Sequence, residues 1–199
     1  MSRCRLCDVL VLVFASLSAT AITGCDSRPK RISPTSVNAA VAADEAMTMY
    51  DTDKDGKISG DELKNCQSLK AIAKNGVVTV ELIEARISTW QKARIGRVAT
   101  SIVILHNGKA LPNASVKLKP EQFIGPDVKP ATGTTGATGS AIMSVARSGP
   151  EEPQGVSLGF YRVEVTKDGE NIPAKYNSDT TLGLAVLAQE TTASFNLVY

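Results

Sequence analysis

Residues 51–62 read Asp51-Thr52-Asp53-Lys54-Asp55-Gly56-Lys57-Ile58-Ser59-Gly60-Asp61-Glu62, and this stretch decides how the rest of the chain is divided. Carboxylates stand at alternate positions 51, 53 and 55, and a glycine follows directly after them. A hard divalent cation wants six to eight oxygen ligands at about 2.3–2.6 Å, which closely spaced carboxylates and carbonyls supply well. The pattern predicts a Ca2+ site with Asp51, Asp53 and Asp55 as its first three ligands.

Position by position, the stretch resembles an EF-hand calcium loop. The resemblance implies that Gly56 makes a sharp turn at φ > 0 and that Lys57 ligates through its carbonyl. Ser59 would act directly or through water, and Glu62 would close the shell with both oxygens. Ile58 is then the apolar residue that pairs with a neighbouring loop. The flanks agree. Val37 to Met49 is alanine-rich and helical in composition, and Leu63 to Ala73 places Leu63, Cys66, Leu69, Ile72 and Ala73 near one face, giving helix, loop, helix.

A second, degenerate loop follows. Asn75 to Leu82 aligns with Asp55 to Glu62 and keeps the glycine as Gly76, but Ala71, Ala73 and Leu82 stand where Asp51, Asp53 and Glu62 stand in the first loop. It is expected to hold no metal and to offer Val78 as partner for Ile58. Leu82, Ile83, Ile87 and Trp90 give the next helix an apolar stripe, so a helical module is expected over residues 37–96. A dockerin-like assembly module also carries two short calcium loops, but both of its repeats keep their ligands.

From Val98 the pattern changes to short apolar runs separated by turn residues, which predicts β structure. Strands are expected at Ser101 to Leu105, Ala114 to Leu118, Ile142 to Val145, Gly159 to Val165 and Ala193 to Val198, with an Asn107-Gly108 turn after the first. The stretches GKALPNASVKLKP (108–120), GTTGATGSA (133–141), GFYRVEV (159–165) and IPAKYN (172–177) resemble the carboxypeptidase-regulatory-like, transthyretin-like sandwich. Gly136 stands where that family usually has an aspartate. The expected fold class is α+β: the helical module, then an all-β, Ig-like or transthyretin-like sandwich over residues 97–199.

At the N-terminus, Arg3 and Arg5 precede an apolar stretch from Val9 to Ala21, which is shorter than the ~20 residues a membrane-spanning helix needs. It reads as an export signal over residues 1–24. Ile22-Thr23-Gly24-Cys25 resembles a bacterial lipobox, which implies cleavage before Cys25, lipid (diacylglycerol and palmitate-type chains) on its thiol, and an extracytoplasmic location on a bacterial membrane. Residues 25–36 then read as a flexible tether.

Several chemistries find no residues to carry them. Lys and Arg number 22 against 20 for Asp and Glu, with no basic run, so no nucleic-acid partner is expected. His106 is the sole histidine, and Cys66 would be the sole thiol left after cleavage and lipidation, so neither a catalytic triad, a zinc site nor an internal disulfide can be assembled. Transthyretin-like ring-opening enzymes rely on several histidines and a distinct C-terminal tetrapeptide, whereas this chain ends Asn196-Leu197-Val198-Tyr199. The expectation is a non-catalytic, calcium-binding envelope lipoprotein whose sandwich contacts an envelope protein or polysaccharide. The alternative is an extracytoplasmic calcium sensor that opens an apolar groove.

Overall fold

The Asn38 side chain accepts the Val41 amide and so starts the first helix, α1, Ala39–Tyr50. Its buried side is Ala42, Ala43, Ala46 and Tyr50, and three small residues in a row of turns let another helix lie close. That helix is α3, Val80–Ala93, which buries Ile83, Ile87 and Trp90. The computed structural model describes residues 32–199; the expected export signal, Cys25 and the tether up to residue 31 lie outside the described residues. Val37 and the half-buried residues Ile32, Pro34 and Thr35 precede α1, and the Gln91 side-chain amide donates to the Val37 carbonyl. Among the described residues no helix is long and apolar enough to cross a membrane.

Between α1 and α3, strands β1 (Ile58–Ser59) and β2 (Val77–Val78) pair antiparallel with Ile58 opposite Val78. The expected contact between the intact and the degenerate loop is therefore present. The helix after the loop differs from expectation. Helix α2, Gly60–Asn65, stops at Cys66, and Gln67–Ile72 winds as a 3-10 helix in place of a continuous helix to Ala73. The spacing explains it. Leu63, Cys66, Leu69 and Ile72 recur every third residue and are all buried, a period that drifts around an α-helix but lines up where there are three residues per turn.

The second half forms β3 (Thr100–His106), β4 (Lys109–Ala110), β5 (Ser115–Pro120), β6 (Ala131–Thr134), β7 (Ser140–Val145), β8 (Gly159–Thr166), β9 (Gly183–Val186) and β10 (Thr191–Leu197). They make one mostly antiparallel path in the order β10-β3-β7-β6-β5-β8-β9, with β4 paired to β3 across the Asn107-Gly108 turn. Strand β7 pairs with β3 through Ser140 to Met143 and with β6 through Ser144 and Val145, which lets the sheet fold over into a sandwich. Ile102, Ile104, Val116, Leu118, Met143, Val163 and Val165 fill its interior.

Two strand readings need correction. The strand expected from Ile142 begins two residues earlier, at Ser140, and Ile142 points outward and is 73% exposed, because the alternation places Ala141, Met143 and Val145 inside. The last strand begins at Thr191, lies parallel to β3, and ends before Val198, which is exposed.

Strand β8 shows how the helical part and the sandwich become one body. Side chains alternate along a strand, so Tyr161, Val163 and Val165 face the sandwich interior while Phe160, Arg162 and Glu164 face the other way. Phe160 is nevertheless fully buried, because the helices cover it: its ring lies 4.8 Å from that of Trp90 and 5.7 Å from that of Phe123, which meets Tyr50 edge-on at 6.2 Å. A continuous apolar cluster runs from Ala42 on α1 to Leu197 on β10.

On neighbouring β9, Gly183 stands opposite Arg162 and so shares this covered face. A Cβ there would fall 2.1 Å from the Ser68 amide nitrogen and 2.7 Å from the Gln67 carbonyl carbon, both backbone atoms of the 3-10 helix. Gly183→Ala should therefore push the helical layer off the sheet. Overpacking of this kind costs about 1–3 kcal/mol, read as a lowered thermal midpoint; an unchanged midpoint would mean that the 3-10 helix is free to shift.

Candidate metal centre

The metal loop begins where α1 ends. The Asp51 amide still donates to the Met47 carbonyl, so the first carboxylate is fixed relative to the helix. Asp51 then turns back over the loop, its Oδ1 accepting the Asp55 amide at 3.1 Å and its Oδ2 the Gly56 amide at 3.0 Å. Asp53 Oδ1 also accepts the Asp55 amide at 3.1 Å, and Asp55 Oδ1 accepts the Lys57 amide at 2.9 Å. Gly56 has φ +82°, a left-handed conformation that a side chain disfavours.

These bonds gather one oxygen each from Asp51, Asp53 and Asp55 within 4.8 Å of one another. Oxygens that each lie up to about 2.6 Å from a shared Ca2+ are no more than about 5 Å apart, a condition the three aspartates meet. The donor set is wholly carboxylate, which suits a hard cation. Asp51 is half-buried, while Asp53 and Asp55 are exposed. Lys54 and Lys57 on the same loop lower its negative charge.

Glu62, in the first turn of α2, lies beside this cluster but not in it. Its Oε1 accepts from the Thr52 amide at 2.6 Å, the Thr52 hydroxyl at 2.8 Å and the Asp53 amide at 3.3 Å; its Oε2 accepts the Ser59 amide at 3.1 Å. The Ser59 amide first, and then the Thr52 hydroxyl, hold its carboxyl below the usual carboxylate range. A depressed value contributes stability that is present above the ordinary carboxylate pKa and is lost as the pH falls through the folded value. Relative to their intrinsic exchange rates, the amides of Thr52, Asp53 and Ser59 should therefore lose protection on acidification below that range, and protection that stays constant with pH would contradict the assignment.

Residues 42–68 match the EF hand domain. The matched span runs from Ala42 on α1 to Ser68, and it contains the acidic cluster, Glu62 and both flanks of the loop. No curated protein and no solved structure matched the chain. The chain thus carries a small EF-hand calcium-binding region followed by a mostly antiparallel sandwich.

Of the residues expected around the ion, the EF-hand brings Asp51, Asp53 and Asp55 together and sets Glu62 at their side. Lys57 and Ser59 contribute their amides to Asp55 and Glu62. Behind the loop lies a group that sequence reasoning missed, the buried side chain of Glu121 with Tyr50, Cys66, Ser68 and Arg162 around it. Burial, and next the Glu121 charge, push the Cys66 thiol up to about 12, so it remains protonated and poorly nucleophilic at neutral pH. Burial and the nearby Cys66 and Glu121 likewise raise the Tyr50 phenol, which stays a neutral donor. Burial opposes the charge on Arg162, but its hydrogen bond to Tyr50 and the Glu121 charge outweigh that and raise it.

Proposed function

We propose that this chain is a lipid-anchored, extracytoplasmic calcium-binding protein that catalyses nothing, and that its helical layer holds the sandwich above a bacterial membrane for contact with an envelope protein or polysaccharide. The observation that carries the reading is the three-aspartate cluster of Asp51, Asp53 and Asp55 within a matched EF-hand. Lys57 through its carbonyl, Ser59 and Glu62 complete the proposed ligand set. The ion would act as a staple, drawing α1 and α2 to one point and stabilising whichever arrangement binds it.

The anchor rests on sequence: the basic start, the short apolar stretch and the small residues before Cys25. One lipid chain holds a protein only marginally, whereas the two or three chains of a processed lipoprotein hold it firmly. The absence of catalysis is supported by where the reactive residue types sit. Cys66 is buried with a raised thiol, and the His106 ring stacks on Tyr199 at 4.2 Å beside Glu170, with Nε2 on the Tyr199 carbonyl.

The anchor is tested by expressing the full chain in a bacterium and separating it in a detergent that splits into two phases. The wild type, grown with labelled palmitate, should enter the detergent phase carrying the label, and Cys25→Ala should carry none. Recovery of both from the aqueous phase would remove the anchor and leave calcium binding to be judged on its own.

A further inference from the structure

One carboxylate joins the two flanks of the EF-hand loop, with one flank on each oxygen. Glu121 Oε2 accepts from the Tyr50 hydroxyl at 3.0 Å and from Arg162 Nε at 3.0 Å. Glu121 Oε1 accepts from the Ser68 hydroxyl at 3.0 Å and from the Cys66 thiol at 3.6 Å. Tyr50 is the last residue of α1 and immediately precedes Asp51. Cys66 closes α2, the six-residue helix whose first turn carries Glu62. Arg162 braces the leading flank a second time, donating to the Tyr50 hydroxyl from Nη2 at 2.6 Å.

The carboxylate itself is fixed to the sandwich. It follows β5 directly, its amide donates to the Phe160 carbonyl on β8 at 2.9 Å, and the residue is only 2% exposed. We propose that Glu121 couples calcium binding in the loop to the docking of the helical layer on the sandwich, so that the ion and the intact joint favour each other. The proposal rests on the calcium reading of Asp51, Asp53, Asp55 and Glu62.

Closing the loop on an ion needs Asp51, at the end of α1, and Glu62, at the start of α2, to reach one point. The separation of those two ends is set by what holds Tyr50 on one side and Cys66 with Ser68 on the other, and both sides are held by the same carboxylate. With six residues, α2 is too short to bend and absorb a shift at its far end. If either anchor is released, the flanks move independently, and ordering them becomes an added cost of binding. Linkage makes the effect reciprocal: whatever holds the joint raises calcium affinity, and calcium in turn holds the joint.

The test is calcium titration by calorimetry on the full chain and on Glu121→Gln, Tyr50→Phe, Ser68→Ala and the exposed control Lys119→Ala, well below their melting temperatures. Wild type and control should bind one calcium with equal affinity. Glu121→Gln should bind the same number with affinity lowered by a factor of about 5–150, the usual range for coupled sites. Tyr50→Phe and Ser68→Ala should bind with smaller losses. Calcium should also slow alkylation of Cys66 in the wild type, and slow it less in Tyr50→Phe.

A folded Glu121→Gln protein with wild-type affinity would overturn the coupling and leave the calcium site standing. Should Glu121→Gln not fold, the two single-donor variants decide, and unchanged affinity in both overturns the proposal. A wild type that takes up no calcium would instead overturn the calcium reading, and the coupling with it.

Discussion

Arg162→Met should lower the stability of the folded chain by about 3–5 kcal/mol, the usual cost of removing one partner from a buried ion pair. The guanidinium stands 3.0 Å from Glu121, whose side chain is 1% exposed, while Arg162 itself keeps some contact with solvent at 36%. Removing the arginine is therefore the harsher change, because the charge left behind is the one that water cannot reach. Tyr50 and Ser68 still donate to that carboxylate, which keeps the loss within this range rather than above it. In a body of this size each kcal/mol lowers the melting midpoint by roughly 2–4 °C, so the shift is easily resolved. Arg162→Lys should fall between the two, since an ammonium keeps the charge but loses the fork that serves Glu121 and Tyr50 together. A loss below about 1 kcal/mol for Arg162→Met, the level of an exposed pair, would show that the joint is solvated.

Phe160→Ala should cost about 3–5 kcal/mol as well, through a cavity rather than a charge. The ring is fully buried at the centre of an aromatic series, Trp90 to Phe160 to Phe123 to Tyr50, that joins α3, β8, the turn after β5 and α1. Its removal leaves a void between layers that the paired strand β8 cannot close. The helical layer should loosen before the sheet does, and Trp90, the only tryptophan, reports on it: its emission should shift to the red at denaturant concentrations where the β signal is still native. Coincident loss of both signals would instead mean that the helices and the sandwich unfold only together.

What the sequence revealed and what it hid follow from the range of the interactions. The acidic loop was legible because Asp51, Asp53, Asp55 and Glu62 lie within twelve consecutive residues and Gly56 takes the positive φ of the turn. The pairing of Ile58 with Val78 was legible because the degenerate loop repeats the glycine and the apolar residue at the same spacing. Most strands announced themselves by alternation, as in Val116 and Leu118 facing inward between Lys117 and Lys119. The break after Asn65 was harder to see: apolar residues at every third position fit an α-helix loosely, and the tighter winding shows only once Leu63, Cys66, Leu69 and Ile72 are all found buried.

Glu121 could not be found from its surroundings in the chain. It follows Lys119 and Pro120 and looks like part of a solvated turn, yet it is buried by residues that lie dozens of positions away on both sides. The same holds for Phe160. Its alternation assigns it to the outer face of the sandwich, and only the helical layer laid over that face makes it part of the core.

Calcium bound at the Asp51 to Glu62 loop is proposed to hold the whole body together. This is tested most directly by thermal melting of the full chain and of Glu62→Gln, each in calcium and in chelator. Calcium at a hundred times its Kd adds about 2.7 kcal/mol, and at the size scaling given above this predicts a wild-type midpoint raised by roughly 5–10 °C with little change in Glu62→Gln. Equal midpoints for the wild type in calcium and in chelator would contradict a stabilising calcium site in this loop.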